Sequence, residues 1–392
     1  MTDTTRIGIG LNNHVDGLTC GLDVARQAQD RLGPYAVTIA LLFVSHPEPE
    51  LVLRGVNQVL GDVPLIGATS AGEYTHDGYV EDGAGLMLIS TTGAQFHPLT
   101  YRRRWFGLGK LLGSLTGTSE AGLGSEFNHR ALMLFPDDQS MNLDGLVDKA
   151  MTETAMLYDI LGGPGPTIPA PPRPPAMFIN DKVLKSGMVG AEILSQRRFG
   201  MALANGWTPL SGPYRVTHVD KRAVTKIDGR PAREVYEDFL AEQDIDFADV
   251  IPREVLLRHP IGICNEGACK VSVLMGFDDD GALQMTSPPP ENALIHILGT
   301  QPQAMSTAAE RAIRQALSTI PGTRAAGLLF IDCMSTAMVL DDAYIQQRTA
   351  AQASIGDVPF LGFRSHGVLA RLHGQTVGHY ECSVGACIIP GA

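Results

Sequence analysis

Residues 61–74 read GDVPLIGATSAGEY, and residues 356–369 read GDVPFLGFRSHGVL. Seven of the fourteen positions are identical, at an offset of 295 residues. An apolar run entering a Gly-x-x-Ser-x-Gly turn is neither a generic helix nor a generic strand. Its recurrence implies two structurally equivalent units, each presenting a turn of small polar residues.

The repeat extends to both sides. Upstream lie the strand-like apolar runs Val37–Ser45 and Ala325–Cys333. Between run and phrase, helical spacing is carried by Leu51, Leu53, Val56, Val59 and Leu60 in the first copy. Ala343, Ile345, Ala350, Ala353 and Ile355 carry it in the second. Arg26-Gln27-Ala28 recurs as Arg314-Gln315-Ala316, each after a short apolar run, Ile7–Leu11 or Leu294–Leu298. Past the phrase come turns at Asp77-Gly78 and His373-Gly374, then the runs Gly85–Ser90 and Val384–Ile389.

A weaker third copy lies between. Strand Ala131–Phe135 ends at Pro136-Asp137-Asp138, and a helix-like stretch spans Leu143 to Leu161. Gly162-Gly163-Pro164-Gly165 stands in place of the phrase, and a hairpin follows, Ala176–Ile179 turning at Asn180-Asp181-Lys182 into Gly187–Leu194. The units fall at 5–92, 95–195 and 291–391. The expected fold is α/β: duplicated β-α-β-α-β-β units forming mixed sheets covered by helices, with a turn-rich β segment inserted near 196–290.

Composition narrows the function. The chain has 392 residues, 44% of them hydrophobic and only 18% charged, as expected for strands buried on both faces. A net charge of −12 disfavours nucleic acid, whose binding needs cations to neutralise phosphates. Arg102-Arg103-Arg104 is the one basic run. No secretory signal and no membrane-length apolar stretch is evident, and six cysteines is low usage. A soluble cytoplasmic protein is expected. Residues 164–175 hold seven prolines, which are expected to form neither ladder nor helix but a surface loop of polyproline character.

In the glycine-serine turns, the glycines allow close backbone approach and expose amides together with Thr69 and Ser70, or Ser365 and Arg364. Such a turn suits a carboxylate or another small polar ligand. The alternative is a tight bulge whose hydroxyls bond local backbone. A hydrolase elbow needs Gly-x-Ser-x-Gly between strand and helix. Ala68 and Phe363 stand where its first glycine belongs, and strands follow both turns. Cys264 and Cys269, with His259 nearby, and Cys382 and Cys387 each have four intervening residues, at the edge of zinc-ligand spacing without matching the usual knuckle, and alternate burial explains them better than metal or disulfide. Cys333 ends a strand beside Asp332, where α/β sheets gather ligands; Asp137 and Ser45-His46 hold the equivalent ends. No histidine partner for Cys333 can be assigned.

With these residues assembled, the chain resembles the FIST family. The N-terminal FIST domain is matched by Leu41–Ser45, Ile66–Glu73, Gly162-Gly163 before Met177–Asn180, Gly206–Pro209 and Tyr214–Thr217. The C-terminal FIST domain is matched by Asp228–Ala232, His259–Gly262, Phe330–Cys333 and Leu361–Phe363. The boundaries are 1–228 and 229–392. The resemblance implies a sensory module for amino acids or similar small metabolites, without catalysis or cofactor, acting through a separate signalling output protein. Three departures stand out. Met334-Ser335-Thr336 follows Cys333 where the family has an arginine, Val368 replaces a glutamate after Gly367, and the Pro-rich run replaces a polar segment.

The ligand is expected at Thr69, Ser70, Gly72, Glu73, Asp137, Gly163, Cys333, Arg364, Ser365 and Gly367, with Thr69, Ser70 and Glu73 on an amino or hydroxyl group and Arg364 on a carboxylate. No metal site is expected. The alternatives are an enzyme using Cys333 or Ser70, or a scaffold docking through the Pro-rich loop.

Overall fold

The first strand, β1 (Arg6–Asn12), carries Gly8 and Gly10 against the helix that follows it, α1 (Gly17–Leu32). A Cβ on either glycine would lie 2.1 or 2.0 Å from a backbone carbonyl of that helix, so helix and sheet touch backbone to side. Asp16 caps α1 by accepting from the Thr19 N–H at 2.8 Å. Strand β2 (Ile39–Val44), helix α2 (Pro49–Leu60, opened by proline) and strand β3 (Leu65–Thr69) follow. A short hairpin, β4 (Glu73–Thr75) and β5 (Gly78–Val80), precedes β6 (Ala84–Ser90). The computed structural model describes residues 4–102, 115–119, 126–139, 141–169, 172–246, 250–265, 268–340, 343–372 and 377–391. Arg103, Arg104 and the His373-Gly374 turn lie outside them.

The pattern recurs twice. Unit two has β7 (Ala94–Tyr101), β8 (His129–Pro136), α3 (Leu143–Glu153), β9 (Asp159–Gly162), the hairpin β10 (Met177–Ile179) and β11 (Lys182–Leu184), and β12 (Met188–Ser195). Unit three has β13 (Gly200–Ala204), α4 (Pro302–Ser318), β14 (Ala325–Cys333), α5 (Tyr344–Ile355), β15 (Phe360–Ser365), the hairpin β16 (Val368–Arg371) and β17 (Gly378–Tyr380), and β18 (Val384–Pro390). The third copy is therefore as complete in strands as the other two. The stretch from Leu143 to Leu161 is not all helix: it ends at Glu153 and becomes β9.

Each unit gives its hairpin away. The sheet orders are β1-β6-β2-β3-β10-β11, β7-β12-β8-β9-β16-β17 and β13-β18-β14-β15-β4-β5. Every sheet is thus four strands of one unit closed by the hairpin of another, in a cyclic threefold exchange. The registers repeat: Phe178 sits opposite Gly67, Leu369 opposite Gly162, and Tyr74 opposite Gly362. These glycines are fixed by crowding. A Cβ on Gly67 or Gly162 would lie 1.8 or 1.9 Å from a carbonyl oxygen of the parallel neighbour strand, and one on Gly362 would lie 2.3 Å from the Tyr74 ring.

The three inner faces share one core that includes Ile9, Phe43, Met133, Phe135, Ile331 and Phe363. Phe43 and Phe363 stack at 3.6 Å between centroids, and Phe135 meets Phe43 edge-on at 5.3 Å. Helices cover the outer faces in separate clusters.

The β-rich insertion is real but lies at 208–299, between β13 and α4, with its own core around Val216, Tyr236, Phe239 and Leu283. Leu294–Leu298, expected as the first strand of the last unit, pairs inside this insertion instead. The unit's first strand is β13, which pairs with β18. On α5 the buried face is Tyr344, Gln347, Ala351 and Ile355, and Ile345 points outward. The Pro-rich segment does form a short ladder, Ile168–Pro169 against Pro172–Arg173, whose donors come from Ile168 and Arg173. Cys264 and Cys269 face each other in register on an inserted hairpin and are joined as a disulfide, contrary to the sequence reading. Cross-strand register, invisible in spacing alone, brings them together.

Candidate functional site

Parallel pairing aligns β14 and β15 so that Asp332 partners Arg364 and Cys333 partners Ser365. Side chains alternate across a strand. Leu329, Ile331, Leu361 and Phe363 face the shared core, and Phe330 and Phe360 face the helices. Asp332 and Arg364 therefore fall on the helix side, and Cys333 and Ser365 on the axis side. The expected site residues divide into these two layers.

The axial layer joins all three units. The first and last phrases are hydrogen-bonded through the Ala71 N–H to the Arg364 carbonyl (2.8 Å) and the Arg364 N–H to the Gly72 carbonyl (2.9 Å). The Gly162–Gly165 segment of unit two lies against both: a Cβ on Gly163 would stand 2.8 Å from Ser365 Oγ, and one on Gly165 3.4 Å from Thr69 Oγ1. Glu73 is fully buried and accepts hydroxyl donors from Ser70 and, at 2.8 Å, from Ser45. Burial pushes its carboxyl up to about 8, against those two hydrogen bonds and Arg364. Thr69 turns its hydroxyl on the Ala176 backbone, Asp137 accepts the Gly187 and Gln139 N–H groups, and Ser365 donates to the Asp332 and Gly367 carbonyls. These groups lock the corners together. A small cavity of about 130 Å³ opens beside Ser70, between Ser45, His46 and Thr69 and the Pro-rich ladder.

Cys333 is also axial and fully buried, in contact with Cys382. The Cys382 hydrogen bond holds the Cys333 thiol below its usual range, against burial and with help from His366. His366 is the histidine whose charge reaches Cys333, although its ring nitrogens face Asp138 and Glu381. It follows Ser365, whose register partner is Cys333, and its Nδ1 lies 3.1 Å from Asp138. Burial lowers the His366 pKa, but the Asp138 hydrogen bond and the carboxylates of Glu381 and Asp138 outweigh it and raise the pKa to about 9.

The outer layer is different in kind. Asp332 meets Tyr74 of the exchanged hairpin and Tyr344 and Gln347 of α5. Gln347 Oε1, Arg348 Nε and Arg364 Nε are buried with no hydrogen-bond partner among the described residues, while the buried Tyr344 hydroxyl lies against Tyr74 and Asp332. Both guanidiniums stack near Tyr79, Arg348 at 4.5 Å and Arg364 at 4.8 Å from the ring centroid. Arg364 also donates to Glu81 at 2.8 Å. Burial lifts the Asp332 carboxyl to about 7 and lowers Arg364 to about 10. Tyr344, Gln347 and Arg348 were missed in the sequence. Their spacing of i, i+3 and i+4 was the signal, since polar residues there share one helix face.

This junction is built from the two ends of the chain, and two family domains account for those ends. The FIST N domain matches residues 38–230 and the FIST C domain residues 232–371. The chain belongs to the FIST family. FIST domains are sensory, signal-transduction domains that bind small ligands. The boundary between the two FIST matches falls inside the inserted region, so the threefold exchange joins them. Uncharacterized protein Mb0898c of Mycobacterium bovis and uncharacterized protein MT0897 of Mycobacterium tuberculosis are similar to this FIST chain. Each is 22% identical over 393 residues, covering 95% of this chain and 96% of its own length. Among solved structures, phosphoribosylformylglycinamidine synthase II from Thermotoga maritima aligns over 100% of this chain and 72% of its own. The identity is 10% and the TM-score 0.25, too low to carry an argument. No helix among the described residues is long and apolar enough to cross a membrane.

Proposed function

We propose that this FIST protein senses a small zwitterion, an α-amino acid or close analogue, in the outer junction between Asp332 and the Arg348–Arg364 pair. The observation that carries this reading is the convergence around Asp332 of Gln347 Oε1, Arg348 Nε and Arg364 Nε, all buried and lacking partners among the described residues. Leaving buried polar groups unpaired is costly, and a ligand bearing both charges would satisfy them together. The guanidiniums would take the carboxylate, Asp332 the ammonium, and the tyrosines the body. Ser70, Glu73, Gly163 and Ser365 would then act as the frame that holds the two phrases in register. The site spans an exchanged hairpin and the helix α5, so a ligand would tie two units together. A separate output protein in the cytoplasm would read that change.

Isothermal titration with a panel of amino acids tests the reading. Saturable binding that Arg364→Ala and Asp332→Asn each weaken about tenfold or more is the expected result. Binding by neither wild type nor variant, or equal binding by all three, sinks it.

The hydrogen bond of Cys333 with Cys382, in the field of His366, favours a second reading, thiol chemistry at the axis. Selective alkylation of Cys333 in the folded protein, lost in His366→Gln, would favour it over sensing alone.

A further inference from the structure

A cleft of about 450 Å³ opens at the other end of sheet two, away from the phrase turns. It lies between the start of β8, the start of β9, the end of β12 and the end of β16, since its lining includes Arg130, Asp159, Ser195 and Arg371. Three half-buried guanidiniums border it: Arg130, Arg198 and Arg371. Asp159 is the one carboxylate among its described lining residues, and Arg198 occupies it through two hydrogen bonds of 3.0 and 2.7 Å. Arg371 instead donates to the Tyr158 carbonyl (3.1 Å), which leaves its charge uncompensated by any acid lining the cleft. His129 adds no charge near neutral pH, because burial and Arg198 lower its pKa. In a chain of net charge −12, a guanidinium in a cleft with no acid of its own among the described lining residues stands out.

One rim is apolar. Met156 and Leu157 are 61% and 51% exposed at the cleft. Ala155 and Met156 hold left-handed backbone, with φ of 49° and 61°. Side chains other than glycine adopt that region reluctantly, and such outliers cluster at ligand sites.

We propose that this cleft is a second binding site, for a small organic anion with a phosphate or carboxylate head on the arginines and an apolar body against Met156 and Leu157. It is separate from the zwitterion site, at the opposite end of the strands, and does not depend on it.

Titration of the full chain with phenyl phosphate and with benzoate, at low and high salt, tests the proposal. Either probe is expected to bind saturably, more weakly at high salt, and about tenfold more weakly to Arg371→Gln. Whichever probe binds names the headgroup. Circular dichroism checks that Arg371→Gln folds, and Arg371→Lys is expected to retain part of the affinity. Binding of neither probe, or equal binding by folded Arg371→Gln, overturns it.

Discussion

Gly72 and Arg364 belong to different repeats, yet a Cβ at position 72 would lie 2.7 Å from the Arg364 Nη2. The hairpin of one unit is thus shaped around the arginine of another. Gly72 also has a φ of 137°, which other residues rarely adopt. Gly72→Ala is expected to cost about 1–3 kcal/mol and to displace the Arg364 guanidinium. Two further glycines bracket it. Gly61→Ala meets nothing within 4 Å and carries only backbone strain, at φ 66° and ψ −143°, with no clash added, so it should cost the least of the three, about 1–3 kcal/mol. Gly67→Ala meets the Leu42 carbonyl at 1.8 Å and should lose the fold. Urea denaturation that fails to order the three this way refutes the crowding argument.

Glu73 gives the protein a pH signature. Its folded pKa, about 8, stands above the ordinary 4.5. Between those values the folded chain keeps a proton that the unfolded chain has released, so stability falls as pH rises through that window. Its contribution is fully present below about 4.5. Glu73→Gln removes the dependence. The melting temperature of the variant relative to wild type is expected to climb from about pH 5 to about pH 9, and parallel curves would contradict the buried acid.

Asp332 sets the pH dependence of binding rather than of shape. An ammonium group needs the carboxylate, and burial holds the carboxyl neutral until about pH 7. Affinity for an amino acid should therefore rise as pH climbs through 7, and Asp332→Asn should flatten the curve. A wild-type affinity constant across that range would remove Asp332 from the ligand.

The central core is shared by all three units, so Phe43→Ala should be felt globally. It removes a ring stacked on Phe363 and touching Phe135. The expected loss is about 3–5 kcal/mol in one cooperative transition. A partial transition that spared the second and third units would show that the sheets unfold separately.

Cys264 and Cys269 close a short loop on the inserted domain. Loop-closure entropy for so few residues amounts to about 2 kcal/mol. Reduction should lower stability by no more than that and leave the three sheets intact. Mass spectrometry of protein trapped directly from cells would report whether the pair is joined there. A fully oxidised pool would count against a cytoplasmic site of action, where thiols stay reduced.

Much of this architecture is legible in local pattern. The twin phrases predict β3 and β15 because a glycine facing a bulky cross-strand neighbour leaves a repeating mark. Gly162 obeys the same rule, but Pro164 and Gly165 obscure the phrase around it. Pairing partners are not written locally, so the exchange of hairpins stays hidden until Tyr74 is seen opposite Gly362. Leu294–Leu298 misleads because the insertion separates β13 from the rest of its unit, and apolar runs look alike wherever they pair. At the junction, Arg364 is readable as a cation beside a turn. Arg348 and Gln347 are less so: their spacing puts them on one face with Tyr344, but polar residues on a helix are ordinarily assigned to solvent, and packing shows that this face turns inward.

No repeat holds a complete sheet of its own; each depends on a neighbour's hairpin to close it. A ring in which each member lends an arm to the next is the geometry of a trimer of identical subunits. Tethering such subunits into one polypeptide frees each of the three joints to diverge. Here one joint carries tyrosines and arginines, another a histidine and carboxylates, and the last a threonine hydroxyl, Thr69, on the Ala176 backbone. A symmetric ancestor would have offered the same chemistry three times over.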